Sequence, residues 1–242
     1  MNIIKLSAIN STNDYLKQLT AAGLVQNFTV VAAEHQTAGK GQMGARWHTQ
    51  PGKNLTFSIL VKEVLPDINT IFNLNVVVAV SIAQALGNFN VPQLSIKWPN
   101  DILAGSKKIG GVLIENAIKP NGEIQAIIGI GLNVNQTGFD GLPKASSMMV
   151  ETGNEFDKEA VMMAVLACLE RNIAEGITNK AQYFWEAYHS LLFKRNVPMT
   201  FEKEGQKFMG IIAGVTKTGC LQVLLEDDTV AEYGVKEVVL LY

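Results

Sequence analysis

The stretch GKGQMG (residues 39–44) fits the G-x-G-x-x-G template of a dinucleotide-binding turn. In a Rossmann fold such a turn runs directly into a helix, because the pyrophosphate sits on that helix's N-terminus. Here the glycines are followed by ARWHTQPGKNL (45–55), which contains Pro51 and Gly52 and has no helical periodicity. A strand pattern comes next, and no acidic residue ends a strand about twenty residues on, where a ribose would need one. The order is strand, long glycine loop, strand, and the Rossmann reading fails. What remains is a loop of about eighteen residues, 36–53, carrying Lys40, Arg46 and Lys53; loops of that length in a compact domain are functional or disordered. Glycines permit close backbone approach, and successive N–H groups can form an anion nest. From this stretch alone, an anion-binding loop and a plain hairpin tip both stand.

Around the loop the chain reads as mixed α/β. FTVVAAEHQ (28–36) and NLTFSILV (54–61) read as strands, the second alternating apolar and polar at its start. Residues 12–22 have helical spacing of Tyr15, Leu16, Leu19 and Ala22, and 68–86 form a long, mostly apolar helix. LSIKWPNDILAGSKKIGGVLIENA (94–117) reads as a strand, a Pro-Asn-Asp corner, a turn around Gly105 and a second strand. EIQAIIGIGLNVN (123–135) is a β-branched strand ending in polar residues, and helices near 157–175 and 178–192 follow. After Phe193 the texture changes to short strands with turns at Glu204-Gly205, Thr218-Gly219 and Asp227-Asp228. That pattern predicts a small β-barrel, 194–242, after an α/β domain, 1–193.

Composition narrows the function classes. The chain has 242 residues, 48% of them hydrophobic and 17% charged, so a sizeable core is expected and global disorder is not. A net charge of −2 without a basic run argues against nucleic-acid binding. Asp67, Asn69, Asn73, Asn75 and Gln84 interrupt the apolar helix, so it does not read as a membrane span. The start, MNIIKLSAINSTNDYL, lacks a signal-peptide layout, and the expected compartment is the cytoplasm. Cys168 and Cys220 have no metal or redox spacing and read as reduced fillers.

Four further stretches carry chemistry. KWPND (97–101) sets a lysine, an asparagine and an aspartate around a proline; its plain reading is a corner in which Asn100 and Asp101 cap backbone groups. SKKIGGVLIE (106–115) places Lys107 and Lys108 before a strand that starts with Gly110-Gly111, where glycines suggest close approach to the backbone. GIGLNVN (129–135) repeats small residues before Asn133 and Asn135, and STND (11–14) fits a capping box.

Taken in this order, STN (11–13), EHQTAGKGQMGARW (34–47), GKNLTFS (52–58), KWPNDI (97–102), KKIGGVLIE (107–115) and GIGLNVN (129–135) resemble the biotin–protein ligases. ASSM (145–148) and the terminal strands fit as well, so the resemblance covers nearly the whole chain. It implies a class II synthetase-like α/β (α+β) catalytic domain with a mixed sheet, followed by an SH3-like barrel. It also implies a two-step reaction: biotin and ATP give biotinoyl-5′-AMP and pyrophosphate, and a lysine of a biotin carboxyl carrier protein then takes the biotinoyl group. By motif position Lys108 is the ammonium that bridges carboxylate and α-phosphate, with Asp101 orienting it or holding Mg²⁺. Arg46 is implied beside them as a catalytic cation. Ser11, Thr12, Asn13, Gln36, Gly39, Lys40, Gly111 and Gly131 are implied at biotin. Lys40, Gln42, Arg46, Trp47, Asn100, Lys108 and Asn133 are implied at ATP or the adenylate. The glycine loop, Gly39 to Trp47, becomes a lid that shields a mixed anhydride from water.

The chain departs from relatives whose loop reads GRGRxGR: Lys40 and Gln42 replace two arginines and Ala45 the third, with Arg46 one place later. Only ten residues precede STN, where bifunctional relatives carry a winged helix-turn-helix, so DNA binding is not expected. No membrane association is expected either. Relatives often pair sheets edge to edge, which makes a homodimer an expectation. A lipoate–protein ligase or octanoyltransferase is the rival reading within the same superfamily, and KWPND with the polar STN and Gln36 group argues against it. Lys108 together with Asp101 weighs against a non-catalytic biotin or nucleotide binder. The lack of a basic face weighs against a transcriptional regulator.

Overall fold

β-Branched and small apolar residues fill the segments that become strands. The computed structural model describes residues 1–62, 71–119, 122–176 and 180–242, and seven strands form its larger sheet. They are β1 (Asn2–Ile9), β2 (Thr29–Gln36), β3 (Leu55–Val61), β4 (Leu94–Lys97), β5 (Asp101–Ala104), β6 (Lys107–Ile118) and β7 (Ile124–Leu132). The spatial order is β1-β2-β3-β7-β6-β5-β4. β1 runs parallel to β2, and all other neighbours are antiparallel.

Side chains alternate between the two faces of the sheet, and each face finds a cover. Helix α1 (Thr12–Ala21) lays Leu16 and Leu19 against Val31, Leu60 and Ile127 on one face. On the other face, Phe57, Ile59, Val61, Ile128 and Ile130 share a core with helices α2 (Ile71–Gly87), α4 (Lys158–Gly176) and α5 (Ala181–Leu191). The short helix α3 (Met148–Thr152) precedes α4. β3 therefore has both faces covered, and all seven of its residues are buried. Its polar positions, Thr56 and Ser58, are satisfied inside the protein rather than by solvent.

The structure alters several expectations. The Pro-Asn-Asp corner is the turn of a tight hairpin, because Asp101–Ala104 pairs with both β4 and β6; 94–118 thus holds three strands, not two. β1 is an added strand and forms the parallel edge of the sheet. The helix expected over 68–86 is present as Ile71–Gly87, with Asp67, Asn69 and the rest of 63–70 outside the described residues. The helix expected near 178–192 is Ala181–Leu191, and residues 178–179 likewise lie outside. Among the described residues no helix is long and apolar enough to cross a membrane. Cys168 and Cys220 are both unpaired.

The second sheet is β8 (Pro198–Lys203), β9 (Gln206–Val215), β10 (Leu221–Leu224), β11 (Val230–Tyr233) and β12 (Val239–Leu241), in the order β11-β10-β9-β8-β12. The three expected turns are where Gly205, Gly219 and Asp228 have positive φ. Among the described residues its outer strands, β11 and β12, do not pair with each other, so the ladder is not a closed ring. Phe201, Ile212, Leu221 and Val223 of this sheet belong to the same buried cluster as Phe57 and Ile130. Trp98 of the corner donates from its indole Nε1 to the Gly219 carbonyl at 2.9 Å, and Phe193 N donates to Ile96 O at 2.9 Å.

His189 on α5 is a titratable part of this junction. Its Nε2 accepts from Val215 N of β9 at 3.1 Å, which requires an unprotonated nitrogen. Burial, then the neighbouring positive charges of Arg195 and Lys217, lower its pKa below the ordinary 6.5. The unfolded chain binds this proton more readily than the folded one, so stability rises with pH between the two values. The contribution is complete above 6.5 and is lost as pH falls towards the lowered folded value. Melting temperatures measured from about pH 5 to about pH 8 should therefore fall more steeply on the acid side in wild type than in His189→Gln. Parallel profiles would contradict this.

Candidate active site

Glycines let functional side chains lie close against the sheet. On the α1 face of the sheet, Gly131 pairs with Thr56 and Gly111, and Gly129 pairs with Ser58 and Leu113. Helix α1 covers this face only as far as Ser11, its N-cap, whose Oγ accepts from Asp14 N at 3.3 Å. Beyond that point lies a cavity of about 560 Å³, bordered by Gly111, Gly129 and Gly131, whose missing side chains make room for Lys108, Asn13 and Trp47. One end is lined by Ser11, Thr12, Asn13 and Gln36 and the other by Lys97, Asn100, Asp101 and Lys108. Residues of the glycine loop and of segment 235–240 roof it.

The polar end is pre-arranged. Gln36 Oε1 accepts from Thr12 N at 2.7 Å and from Thr12 Oγ1 at 3.0 Å. Ser58 Oγ donates to Asn13 Oδ1 at 2.6 Å and lies 2.7 Å from Thr12 Oγ1. Asn13 Nδ2 donates to Glu115 Oε2 at 2.7 Å, and the other Glu115 oxygen meets Lys17 at 2.5 Å. Asn13 is thereby fixed on both sides, and it lies against Gly129: a Cβ added there would collide with Asn13 Oδ1.

The charged end is built on the hairpin. Asp101 faces Gly111 across the β5–β6 ladder. Its carboxylate holds Lys108 Nζ at 2.5 Å and Lys97 Nζ at 3.5 Å. A Cβ on Gly111 would lie 3.3 Å from Lys108 Cε and Nζ, so the group that approaches this glycine closely is the Lys108 chain itself. Lys107 points elsewhere, to the Pro143 carbonyl. Consecutive residues point to opposite faces, and a register shift in the β5–β6 ladder between Lys108 and Gly110 turns Lys108, not Lys107, towards Gly111 and the cavity. Asn100 Nδ2 donates to Val112 O at 2.5 Å and stiffens the corner, whose Trp98–Pro99 bond is cis. Segment 144–146 flanks Lys108 through Lys108 N to Lys144 O and Ser146 N to Lys108 O.

The glycine loop is a folded hairpin. Trp47 N donates to Gly39 O at 3.0 Å and Gly41 N to Ala45 O at 2.7 Å, with Gln42–Gly44 as a 3-10 turn. Lys40 Nζ lies 2.7 Å from Asp14, and that hydrogen bond raises the lysine pKa despite some desolvation. Arg46 is exposed and forms no ion pair with a described residue, although it borders the cavity. The Trp47 indole covers Gly131, with Nε1 buried and without a hydrogen-bond partner among the described residues, and Lys108 Nζ 5.6 Å from the ring centre. Gln42 also borders the cavity.

Gly39 and Asn133 are not on the cavity wall. Asn133 is buried and holds the following segment, its Nδ2 donating to Ser146 O at 2.9 Å and its carbonyl accepting from Met148 N. Conversely, Lys97, Ser58, Glu115 and Lys236 join the site's network in addition to the expected residues. Lys97 and Ser58 lie inside the motifs KWPND and GKNLTFS, whereas Lys236 has no local signal.

The model of the biotin/lipoate A/B protein ligase family matches residues 6–135, which include α1, the glycine loop, the hairpin and β7. The chain belongs to that family. It is 31% identical over 194 residues to the bifunctional ligase/repressor BirA of Bacillus spizizenii, covering 77% of this chain and 59% of that protein. It is 28% identical over 223 residues to a biotin–[acetyl-CoA-carboxylase] ligase of Paracoccus denitrificans, covering 89% and 91%. The biotin protein ligase of Aquifex aeolicus in complex with biotin and ATP has a similar structure, with a TM-score of 0.82, 27% identity and coverage of 99% and 98%. This family member thus spans about three fifths of the bifunctional Bacillus relative.

Proposed function

We propose that the protein activates biotin with ATP to biotinoyl-5′-AMP and pyrophosphate, then transfers the biotinoyl group to a lysine of a biotin carboxyl carrier domain. The observation that carries this reading is the joint placement of two ends in one cavity: the Lys108–Asp101 pair and the Ser11, Thr12, Asn13 and Gln36 cluster. The likeness to a ligase holding biotin and ATP supports it. Domain 1–193 carries both ends, and unit 194–242 supplies part of the roof.

Step one joins two anions, a carboxylate and an α-phosphate. An ammonium between them stabilises the transition state more than the separated reactants, and Lys108 is the group placed for that work. Asp101 orients it, and Lys97 shares that carboxylate. The ureido ring needs donors and acceptors in an otherwise apolar pocket, which Ser11, Thr12, Asn13 and Gln36 provide beside Gly129 and Gly131. Trp47, whose indole N–H has no partner among the described residues, is the surface for the adenylate, and Arg46, Lys40 and Gln42 border the same space.

Among the described residues no cluster of three His, Cys, Asp or Glu exists, so an all-protein metal cage is absent there. Asp101 is the one carboxylate among the described residues of the cavity wall, a donor set that fits Mg²⁺ carried in by phosphate oxygens. Such an ion would neutralise triphosphate charge, while Lys108 and Trp47 position the reacting parts. β6 continues past β5 through residues 113–118, and this open edge supports sheet-to-sheet pairing as a homodimer.

The test is acceptor modification. With ATP, Mg²⁺, biotin and an unmodified carrier domain, one lysine of the carrier should gain one biotinoyl group by mass spectrometry. A carrier left unmodified, or one modified only when lipoate replaces biotin, would refute the assignment.

A further inference from the structure

Lys236 sits in the turn between β11 and β12 with φ of 70°. Met43, at the tip of the glycine loop, has φ 53° and ψ 41°. Left-handed conformations are costly for non-glycine residues and persist where surrounding contacts hold them. These two residues, 193 positions apart, meet directly: Lys236 Nζ donates to the Met43 carbonyl at 2.7 Å. Lys236 forms no ion pair with a described residue, since the adjacent Glu237 turns back to accept from Gly234 N at 2.8 Å. Both Lys236 and Met43 border the cavity, and the same turn contributes Val235 and Val238 to its wall.

We propose that Lys236 is a positioning residue that clasps the glycine loop over the cavity, making the second sheet part of the closing device. The proposal rests on the ligase reading above. At its base the loop is fixed by the Gly39–Trp47 pair and by Lys40 on Asp14. Among the described residues its tip is held by its own turn and by the Lys236 bond. The clasp also places an ammonium beside a loop whose positions 42 and 45 carry no charge. Holding the tip down keeps water from a mixed anhydride and slows its escape.

Lys236→Met removes the donor and keeps the chain length, while Lys236→Arg keeps a cationic donor. Two readouts are compared at matched melting temperature. The first is AMP formation from ATP, Mg²⁺ and biotin without carrier, which reports loss of the adenylate. The second is tryptic cleavage after Arg46 in the ligand-free protein, which needs no catalysis. Lys236→Met should speed both by roughly three- to tenfold, as expected for one net hydrogen bond, and Lys236→Arg should stay near wild type. Wild-type behaviour of Lys236→Met in both readouts overturns the clasp, as does equal acceleration in both variants. If the wild type forms no adenylate, the ligase reading falls, and the cleavage rates still decide the clasp.

Discussion

Lys108→Ala should slow biotin-dependent pyrophosphate release by roughly 10²–10³-fold, the usual loss when a preorganised donor at developing negative charge is removed. The geometry makes the effect specific. Lys108 leans over Gly111 into the cavity and is held by Asp101, whereas Lys107, one residue earlier, points to the Pro143 carbonyl. Lys107→Ala should accordingly lose far less. The deficit should appear in kcat as well as in kcat/KM, because the bridging role exists only when carboxylate and phosphate meet. Single-turnover formation of the adenylate is the measurement, and a Lys108→Ala protein within about tenfold of wild type would sink the assignment.

Gly129→Ala should produce the largest loss of biotin affinity. The added Cβ would fall on Asn13 Oδ1. Asn13 has little freedom to retreat, because Ser58 holds its oxygen and Glu115 its amide nitrogen. Overpacking of this kind costs about 1–3 kcal/mol, which corresponds to roughly five- to 150-fold in the biotin dissociation constant. The effect should sit in KM for biotin and spare kcat, since the floor contacts the substrate equally in ground and transition states. Gly87→Ala, where a Cβ would meet nothing within 4 Å, is the matched control. Calorimetric titration with biotin decides it: equal affinities for the two variants would contradict the pre-arranged polar end.

Much of the site is legible in the sequence because it sits in short, local motifs. The Ser11 cap is part of the four-residue pattern STND, and the structure has Ser11 capping as read, while the Asp14 carboxylate of the box meets Lys40. Lys108 is singled out by its motif position alone, because strict alternation over 107–118 would put Lys107 on the face of Gly111, and the register shift opposite Ile102/Leu103 brings Lys108 there instead. The features that the sequence hides are governed by long-range packing. In the sequence Thr56 and Ser58 are only the polar positions of an alternating strand, and alternation alone does not reveal that α1 covers the second face of β3. β1, with polar positions on both sides, gains its strand identity from pairing with β2. Gly110-Gly111 correctly signals close approach, but the approaching group is a side chain of the protein itself. The Lys236–Met43 contact joins two turns from opposite parts of the chain, and neither turn carries a pattern that names the other.

The central claim is that the lysine and the polar cluster act on one substrate pair within one cavity. The most direct test is ATP–pyrophosphate exchange by the wild-type protein with Mg²⁺ and either biotin or lipoate. Exchange that depends on biotin and is absent with lipoate is the predicted result. Exchange driven by lipoate alone, or by neither acid, would contradict the account.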